Sequence, residues 1–315
     1  RSRPLKSASQ DVRFSITCTV YNTPPEFLEE LFECVSRQTY PNFEWLILDN
    51  GSEDVSCKKW LEGAASRDPR IKLFKVEKNL HLIGGNRYLL ERATGDFIIP
   101  VDSDDFLYWD ALETFHQKIS EYPDAVLLYS DEEKVAPDLE PVECITRPLW
   151  SSLSALCTCG AAHLMSFRRK EALEAGVYSG EYARGCHDWD SSLRLDETKG
   201  RFVKVNKVLY GWRIHSNSTS FSSGVKNYIL SSHMDTLQKS LERRGLGEKF
   251  SIKSSEFFGY YYPLRNPVLP KKIRVYLPMI HRELEATDLR FVERMRAGYP
   301  LARSEERRVG KECLR

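Results

Sequence analysis

Apolar runs and amphipathic segments alternate along the first half of the chain. The run VRFSITCTVYN, residues 12–22, predicts a buried strand. It is followed by TPPEFLEELFECVSRQ, residues 23–38, which has Thr23 as a plausible cap, prolines in its first turn and apolar residues at helical spacing. The same pattern predicts further strands at 43–50, 71–76 and 96–102 and further helices at 55–66, 83–94 and 109–121. Strands that alternate with helices predict a parallel sheet covered by helices on both faces.

Polar residues gather where these predicted strands end. The first strand ends in Tyr21 and Asn22, and the second ends in Asp49 and the turn DNGS. The fourth runs into the acidic stretch FIIPVDSDDF, residues 97–106. Because ligands of parallel sheets bind outside the carboxyl ends of the strands, this edge is the predicted binding site.

The acidic stretch places Asp102, Asp104 and Asp105 within four residues. Carboxylates this close repel one another unless a cation neutralises them, so the cluster predicts a bound cation. A solvated acidic turn that caps the next helix is the alternative. The cluster alone does not decide between the two.

Composition narrows the class of protein. With 315 residues the chain suffices for one large domain or two ordinary ones. Its formal charge of +1 argues against a nucleic-acid partner. No apolar run approaches the roughly 20 residues that span a bilayer, and the first residues lack the apolar core of a signal peptide. The eight cysteines form no zinc-binding pattern, which favours reduced thiols in a cytoplasmic protein.

Four motifs in this order resemble the family 2 glycosyltransferases: SITCTVYN, LILDNGSED, GGNRYLLERATGDFIIPVDSDD and GCHDWDSSLRL. The resemblance covers roughly residues 12–235. It implies an α/β fold of the A-type glycosyltransferase class, with a Rossmann-like, mostly parallel central sheet, flanking helices and a smaller acceptor-side subregion. It also implies inverting transfer of a sugar from a nucleoside-diphosphate sugar of the UDP or dTDP type to a saccharide or lipid-linked glycan.

The resemblance assigns most donor contacts to the first half of the chain. Asp49 matches the acid that hydrogen-bonds the base of the nucleotide, although DNGS is also a good turn. Asp102 is the first acid of the family's D-x-D motif and is expected beside the sugar and ribose. The side chains expected to bind the donor are Tyr21, Asn22, Asp49, Asn86, Asp102, Ser103 and Arg213.

The third motif departs from the family pattern. Gly85 stands where the family has an arginine before Asn86, and Arg87 follows instead. This departure leaves open whether Asn86 and Arg87 belong to the site. The glycines of GGNRY either admit the donor close to the backbone or simply begin a helix.

The resemblance also implies a divalent metal. Asp104 is the first expected ligand, and Asp102 and His215 are expected to complete the protein's share of the metal shell. Hard oxygen ligands suit Mn²⁺ or Mg²⁺, which would stabilise the charge of the diphosphate leaving group. Arg213 is expected to help hold phosphate charge. A solvent-facing histidine is the alternative for His215.

The second half is expected to supply the catalytic base. Asp188 in RGCHDWDSSLRL aligns with the second acid of the family's Glu-Asp pair, and His187 replaces the glutamate. Residues two apart on a helix point to nearly opposite faces, so Asp190 is expected to face away. Trp189 is either a floor for the acceptor sugar or a buried core residue. The stretch LLYSDEEK, with Asp131 and Glu132, resembles a strand end that reaches the sugar or acceptor in one bacterial subgroup, and an acidic turn is its alternative.

The predicted organisation has four parts. Residues 1–11 form a flank, and 12–235 form the catalytic domain, divided into a nucleotide-sugar-binding half at 12–130 and an acceptor-binding half at 131–235. Residues 236–302 contain a closing helix and a connector, which in tandem relatives leads to a second domain. Residues 303–315 resemble a translated sequencing adapter, and we expect the chain to be a fragment of a longer protein.

Two rival functions remain at this stage. A non-catalytic nucleotide-sugar or saccharide-binding domain would keep the fold without turnover. A nucleotidyltransferase would need a glycine- and lysine-rich loop after the first strand, where this chain has YNTPPEF. The expected location is the cytoplasm, compatible with peripheral contact at the inner membrane. Donor sugar, acceptor and oligomeric state are not indicated.

Overall fold

The structure is a computed structural model that describes residues 11–215 and 225–266. Its strands are β1 (Phe14–Val20), β2 (Phe43–Asn50), β3 (Ile71–Val76), β4 (Phe97–Pro100), β5 (Phe106–Leu107), β6 (Ala125–Val135), β7 (Pro141–Ile145), β8 (Met165–Arg168), β9 (Arg201–Arg213), β10 (Phe250–Ser254) and β11 (Tyr261–Arg265). Its α-helices are α1 (Pro25–Ser36), α2 (Val55–Arg67), α3 (His81–Arg92), α4 (Ala111–Glu121), α5 (Arg169–Glu174), α6 (His187–Glu197) and α7 (Val225–Arg243).

The main sheet has the strand order β3-β2-β1-β4-β8-β6-β9-β5, and β7 pairs with β6. Strands β1 to β4 run parallel to one another, and β6 pairs in parallel with β9. Strand β8 is antiparallel to both β4 and β6. The strands that share one direction therefore end at one common edge, the carboxyl edge, whereas β8 begins there.

Helices pack on both faces of the sheet. Strand β2 is buried along its whole length, and its residues alternate between two cores. Phe43, Trp45 and Ile47 pack toward α1, α2 and α4, whereas Leu46 and Leu48 pack toward α3, α5, α6 and α7. Burial on both faces explains why β2 is a nearly continuous apolar run rather than an alternating one.

The first half matches the sequence expectations closely, with helices on both faces of a mostly parallel sheet. Helix α1 buries Leu28, Leu31 and Val35, as its apolar spacing predicted. The expectation that Thr23 caps this helix is wrong. Pro24 is the residue at the cap, with no side-chain hydrogen bond, and the Thr23 hydroxyl instead lies 2.7 Å from the Ser103 hydroxyl.

Beyond the main sheet, α7 begins at Val225, ahead of the predicted closing helix. It is followed by the hairpin of β10 and β11, of which β11 lies at the start of the predicted connector. The rest of the predicted connector and the segment 303–315 lie outside the described residues. No helix in the described part of the chain is long and apolar enough to cross a membrane. All cysteines that the structure describes are free thiols, as expected.

Candidate active site

The acidic loop after β4 is fixed to the end of β9. Asp105 is buried and accepts hydrogen bonds from the Tyr210 hydroxyl at 2.6 Å and from the Arg213 backbone N–H at 2.8 Å. Burial, followed by the charges of Asp102 and Asp104, raises the pKa of Asp105 well above its ordinary value. Asp105 is therefore an anchor of the loop, and it neither caps α4 nor faces the cleft.

Arg213 requires a correction to the sequence expectation. Its side chain is fully buried, and its Nε donates to the Asp104 backbone oxygen at 2.8 Å. Its Nη1 donates to the Pro137 backbone oxygen at 2.9 Å, and its Nη2 contacts the Glu30 carboxylate. All three guanidinium nitrogens are thus engaged inside the protein. Arg213 holds the acidic loop in place and does not present its charge to a phosphate.

Asp104 and His215 meet directly. The Asp104 Oδ2 atom lies 2.8 Å from His215 Nε2, and both side chains are only partly exposed. Burial and the charge of Asp102 raise the pKa of Asp104, although the contact with His215 opposes this. The sequence expectation that these two residues come together is matched by this geometry.

The residues fit a divalent ion only in part. Neighbouring ligands about 2.1 Å from an octahedral ion lie about 3 Å apart, which agrees with the separation of Asp104 and His215. A carboxylate with an imidazole suits Mn²⁺ better than Mg²⁺, which prefers oxygen ligands. The described residues nevertheless contain no group of three or more His, Cys, Asp or Glu side chains arranged to hold a metal. The expected third ligand, Asp102, is turned to His163 instead, at 3.5 Å.

Three separate segments of the chain converge on one cleft at the carboxyl edge of the sheet. Asp102 follows β4, His163 precedes β8, and Asp188 lies in the first turn of α6. The His163 Nε2 atom lies 3.5 Å from Asp102 Oδ2 and 3.9 Å from Asp188 Oδ2. Asn86 and His187 line the same cleft. The structure thus brings together Asn86, Asp102 and Asp188, which the sequence proposed from distant positions.

His163 was missed by the sequence reasoning. Burial alone would lower its pKa, but the carboxylates of Asp102, Glu132 and Asp188 outweigh this and raise the pKa well above its ordinary value. Conversely, burial alone would raise the pKa of Asp102, and His163 lowers it. The available signal in the sequence was the position of His163 just before the apolar stretch LMSF. The structure adds that this stretch is an antiparallel strand, which begins at the carboxyl edge.

The two acids of the fourth motif have different surroundings. Asp188 is mostly buried, with its Oδ1 atom 3.3 Å from His187 Nε2. Asp190 is buried and accepts from Arg194 Nε at 2.7 Å and from the Tyr182 hydroxyl at 3.1 Å. As expected for residues two apart, only Asp188 lines the cleft. Trp189 is a core residue whose indole N–H donates to the Ala155 backbone oxygen at 2.7 Å, so it is no floor for a sugar.

At the ends of β1 and β2, Asn22 organises the loop that carries Asp49. The Asn22 Oδ1 atom accepts the backbone N–H groups of Glu53 at 2.7 Å and Asp54 at 2.9 Å. Asp49 is buried and accepts the Ser52 backbone N–H at 2.9 Å. Tyr21 is 45% exposed beside them, which leaves its ring open to solvent and to a ligand.

In the third motif Asn86 lies in the interior of α3, where its Oδ1 atom accepts the Thr19 hydroxyl of β1 at 2.9 Å. A Cβ atom at Gly85 would lie 2.5 Å from Thr19 Cγ2, so this glycine permits the close approach of α3 to β1. Arg87 points outward and pairs with Glu91 at 3.0 Å, both largely exposed. The glycine therefore serves helix packing, and Arg87 lies away from the cleft.

Residues 15–141 match the family model described as "Glycosyl transferase family 2". Among curated proteins, an uncharacterized protein y4gI of Sinorhizobium fredii is 31% identical over 231 residues, which cover 73% of this chain and 25% of the relative. The O-antigen biosynthesis protein RfbC of Myxococcus xanthus is 23% identical over 268 residues, covering 85% of this chain and 21% of the relative. The chain thus spans about a quarter or less of the length of these two relatives.

Solved structures share the fold. Residues 1–349 of Staphylococcus aureus TarS, in complex with UDP-GlcNAc, align with a TM-score of 0.52 at 17% identity, covering 74% of this chain and 72% of that one. The mannosyltransferase PcManGT from Pyrobaculum calidifontis, in complex with GDP-Man and Mn²⁺, aligns with a TM-score of 0.50 at 13% identity, covering 74% and 75%.

The fold and the cleft at its carboxyl edge define an α/β domain of the A-type glycosyltransferase class. Residues 15–141 belong to glycosyl transferase family 2, as the motifs predicted.

Proposed function

We propose that this domain transfers a sugar from a nucleoside-diphosphate sugar to a saccharide or lipid-linked glycan acceptor, with inversion at the anomeric carbon. The observation that carries the proposal is the convergence of Asp102 and Asp188 on the two sides of one cleft, within 3.5 Å and 3.9 Å of the same His163 nitrogen. The similarity to a protein of O-antigen biosynthesis supports a role in polysaccharide synthesis. We propose the cytoplasm as the place of the reaction.

Asp188 is the general base. An inverting displacement forms the bond from the acceptor oxygen to the anomeric carbon while the bond from that carbon to the diphosphate oxygen breaks. The proton of the attacking hydroxyl moves to an Asp188 carboxylate oxygen, and the electron pair leaves with the diphosphate. Asp188 suits this role because it faces the cleft and, among the described residues, its ion-pair partners are histidines alone.

The carboxyl ends of β1, β2 and β4 hold the donor. Asp49 accepts a hydrogen bond from the nucleotide base, and Tyr21 covers that base from the solvent side. Asp102 and Asn86 line the cleft where the sugar and ribose lie. Asn22 and Ser103 act through the loop, since Asn22 fixes the turn after β2 and Ser103 ties the acidic loop to Thr23. The likeness to TarS, solved with UDP-GlcNAc, supports a nucleotide-sugar donor.

Asp104 and His215 are the residues that would hold a divalent ion, and Mn²⁺ fits this pair of ligands. Such an ion supplies Lewis-acid stabilisation of the diphosphate charge. The chain's own contribution is the rigid loop, because Asp105 and Arg213 fix the backbone that carries Asp104. The likeness to PcManGT, solved with Mn²⁺, supports this proposal.

The second candidate is a binding domain that takes up nucleotide sugars without turnover. The departures from the family pattern at Gly85 and His187 are the observation that favours this candidate. It is separated from the transferase by turnover alone, because both candidates bind the nucleotide sugar.

The test is a screen for nucleoside-diphosphate release from UDP-, dTDP- and GDP-linked sugars in the presence of Mn²⁺, with and without an acceptor mixture. We expect one donor to be consumed, EDTA to abolish consumption, and Asp104→Asn to lower kcat/KM by about 10- to 100-fold, the cost of losing a hydrogen bond or ligand to a charge. Asp124→Asn, on a surface pair with Arg201, is the matched control and should retain wild-type turnover. Full activity with EDTA would contradict the metal assignment, and binding without consumption of any donor would favour the binding domain.

A further inference from the structure

One imidazole nitrogen faces the middle of the cleft. The His163 Nε2 atom lies 3.5 Å from Asp102 Oδ2 and 3.9 Å from Asp188 Oδ2. The first distance is at the outer limit of a hydrogen bond and the second is beyond it. Since all three residues line the cleft, this nitrogen is directed at the space between the donor side and the base.

The opposite side of the ring forms an ion pair with a buried carboxylate. The His163 Nδ1 atom lies 3.2 Å from Oε2 of Glu132, whose side chain is fully buried. The other oxygen of Glu132 contacts the Arg147 guanidinium. The contact is an ion pair without hydrogen-bond geometry, since neither His163 Nδ1 nor Glu132 Oε2 has a hydrogen-bond partner among the described residues. A carboxylate with no exposure is costly unless it is paired, so this contact restrains the orientation of the imidazole.

Aromatic side chains of β9 fix the plane of the ring. His163 stacks on Tyr210 with ring centroids 5.1 Å apart and an angle of 15° between the planes, and the Trp212 ring lies 5.8 Å away. Tyr210 is itself anchored by its hydrogen bond to Asp105. The orientation of His163 is therefore set before a ligand enters, which lowers the entropy cost of using it as a contact.

We propose that His163 hydrogen-bonds a hydroxyl of the transferred sugar and determines donor specificity, with Glu132 as the residue that positions it. The inference rests on the proposed function, because it takes Asp102 as the donor side and Asp188 as the base side. A sugar between them presents hydroxyls, which both donate and accept, to Nε2. The acidic strand end at Glu132 then acts on the sugar through His163, without reaching it directly.

A pocket built to bind a hydroxyl discriminates strongly against a sugar that lacks it at that position. The experiment therefore compares sugar recognition with nucleotide recognition. Calorimetry measures Kd for UDP, dTDP and GDP and for UDP-glucose, UDP-galactose, UDP-GlcNAc, dTDP-glucose and GDP-mannose. The variants are His163→Ala, His163→Gln and Glu132→Gln, with Glu133→Gln as the matched control, since it lies on the same strand but points to the opposite face.

In His163→Ala we expect the affinity for the preferred sugar nucleotide to fall by about 10- to 100-fold, the range for a hydrogen bond to a charged or strongly polar group. The affinity for the free diphosphate should stay within about twofold, and the preference among sugars should flatten. His163→Gln should recover part of the loss, Glu132→Gln should lose less than His163→Ala, and Glu133→Gln should match the wild type. A purely structural role would weaken nucleotide and sugar-nucleotide binding together.

Equal losses for the free diphosphate and the sugar nucleotide would overturn the proposal, as would an unchanged preference among sugars in His163→Ala. If circular dichroism shows that His163→Ala is unfolded, His163→Gln takes its place. The same comparison of affinity for the sugar nucleotide and for the free diphosphate then decides. Wild-type protein that binds a sugar nucleotide without consuming it would contradict the transferase function, while the affinity ratio still decides the role of His163. Wild-type protein that binds none of these probes would overturn both.

Discussion

Carboxylates at the amino ends and at the carboxyl ends of the sheet strands, here called the amino edge and the carboxyl edge, have different partners. At the amino edge, Glu44 of β2 accepts hydrogen bonds from the Ser15 hydroxyl, the backbone and hydroxyl of Thr94, and the Lys72 ammonium, all at 2.6 to 2.9 Å. At the carboxyl edge of the same strand, Asp49 accepts one backbone N–H from its own turn. Among the described residues Asp49 has no cationic partner.

The same contrast separates neighbours within the acidic motifs. Asp105 and Asp190 have their partners inside the protein, whereas the side chains of Asp104 and Asp188 pair only with histidines within the described part of the chain. A carboxylate whose partners are all internal contributes to folding, and one left with free acceptor sites is available to a ligand. Hydrogen bonds from internal donors, together with fuller burial of the side chain, therefore distinguish Asp105 and Asp190 from Asp104 and Asp188.

The largest expected effect is at Asp188. Asp188→Asn keeps the shape of the side chain but removes the group that accepts the proton, and general-base catalysis contributes about 10²- to 10⁴-fold. We expect kcat for nucleotide release to fall by that factor, with the donor KM and the melting temperature little changed. Steady-state kinetics on the donor identified by the screen is the measurement. Turnover close to that of the wild type would place the base elsewhere in the cleft.

Asp190→Asn should have the opposite effects, a loss of stability with little change in kcat. It breaks a buried ion pair with Arg194 and leaves the guanidinium without its carboxylate, which costs about 3 kcal/mol. We expect urea unfolding to show that loss, while kcat per folded molecule stays within about threefold of the wild type. A variant with normal stability and severely reduced kcat would mean that the two acids have been assigned the wrong way round.

Elements and motif residues could be predicted from the sequence, whereas the contacts that separate the two groups of acids could not. Strand and helix bounds of the first half followed from apolar spacing, and Asp49, Asp102 and Asp188 followed from motifs. The hydrogen-bond and ion-pair partners of the site residues could not be predicted, because they depend on contacts between segments that are distant in the sequence. Arg213 precedes a site histidine by two residues, yet its side chain is drawn inward by Glu30 and by backbone oxygens. His163 was missed because nothing in the sequence indicates that β8 runs antiparallel.

Glu44→Gln tests the amino edge. Burial alone would raise the pKa of Glu44, but the Lys72, Ser15 and Thr94 hydrogen bonds outweigh it and lower the pKa to about 2. A carboxyl group with a lowered folded pKa adds stability above its unfolded pKa, and that stability is lost as the pH falls toward the folded value. We expect Glu44→Gln to cost about 2 kcal/mol of unfolding free energy at pH 7 and progressively less between pH of about 4.5 and about 2.

The matched control for Glu44 is Glu62→Gln, since Glu62 also pairs with a lysine, Lys75 at 2.9 Å, but on the surface. Exposed pairs contribute about 0 to 1 kcal/mol, so this variant should be nearly neutral at every pH. Denaturant unfolding of both variants over this pH range is the measurement. Equal, small effects would mean that the amino edge gains no more from its buried carboxylate than the surface does from an exposed one.

The smallest expected effect is at Arg87, which lies next to Asn86 but on the outer face of α3. Its pair with Glu91 is exposed and spaced four residues apart on a helix, a geometry that contributes about 0.3 to 0.5 kcal/mol. Arg87→Gln should therefore lower the melting temperature slightly and leave the donor KM within about twofold. A tenfold rise in the donor KM would show that this guanidinium turns inward to the diphosphate when donor binds. In that case a cationic side chain that is exposed in the free protein would move into the cleft when donor binds. The orientation of a side chain in the free protein would then not suffice to separate binding residues from structural ones.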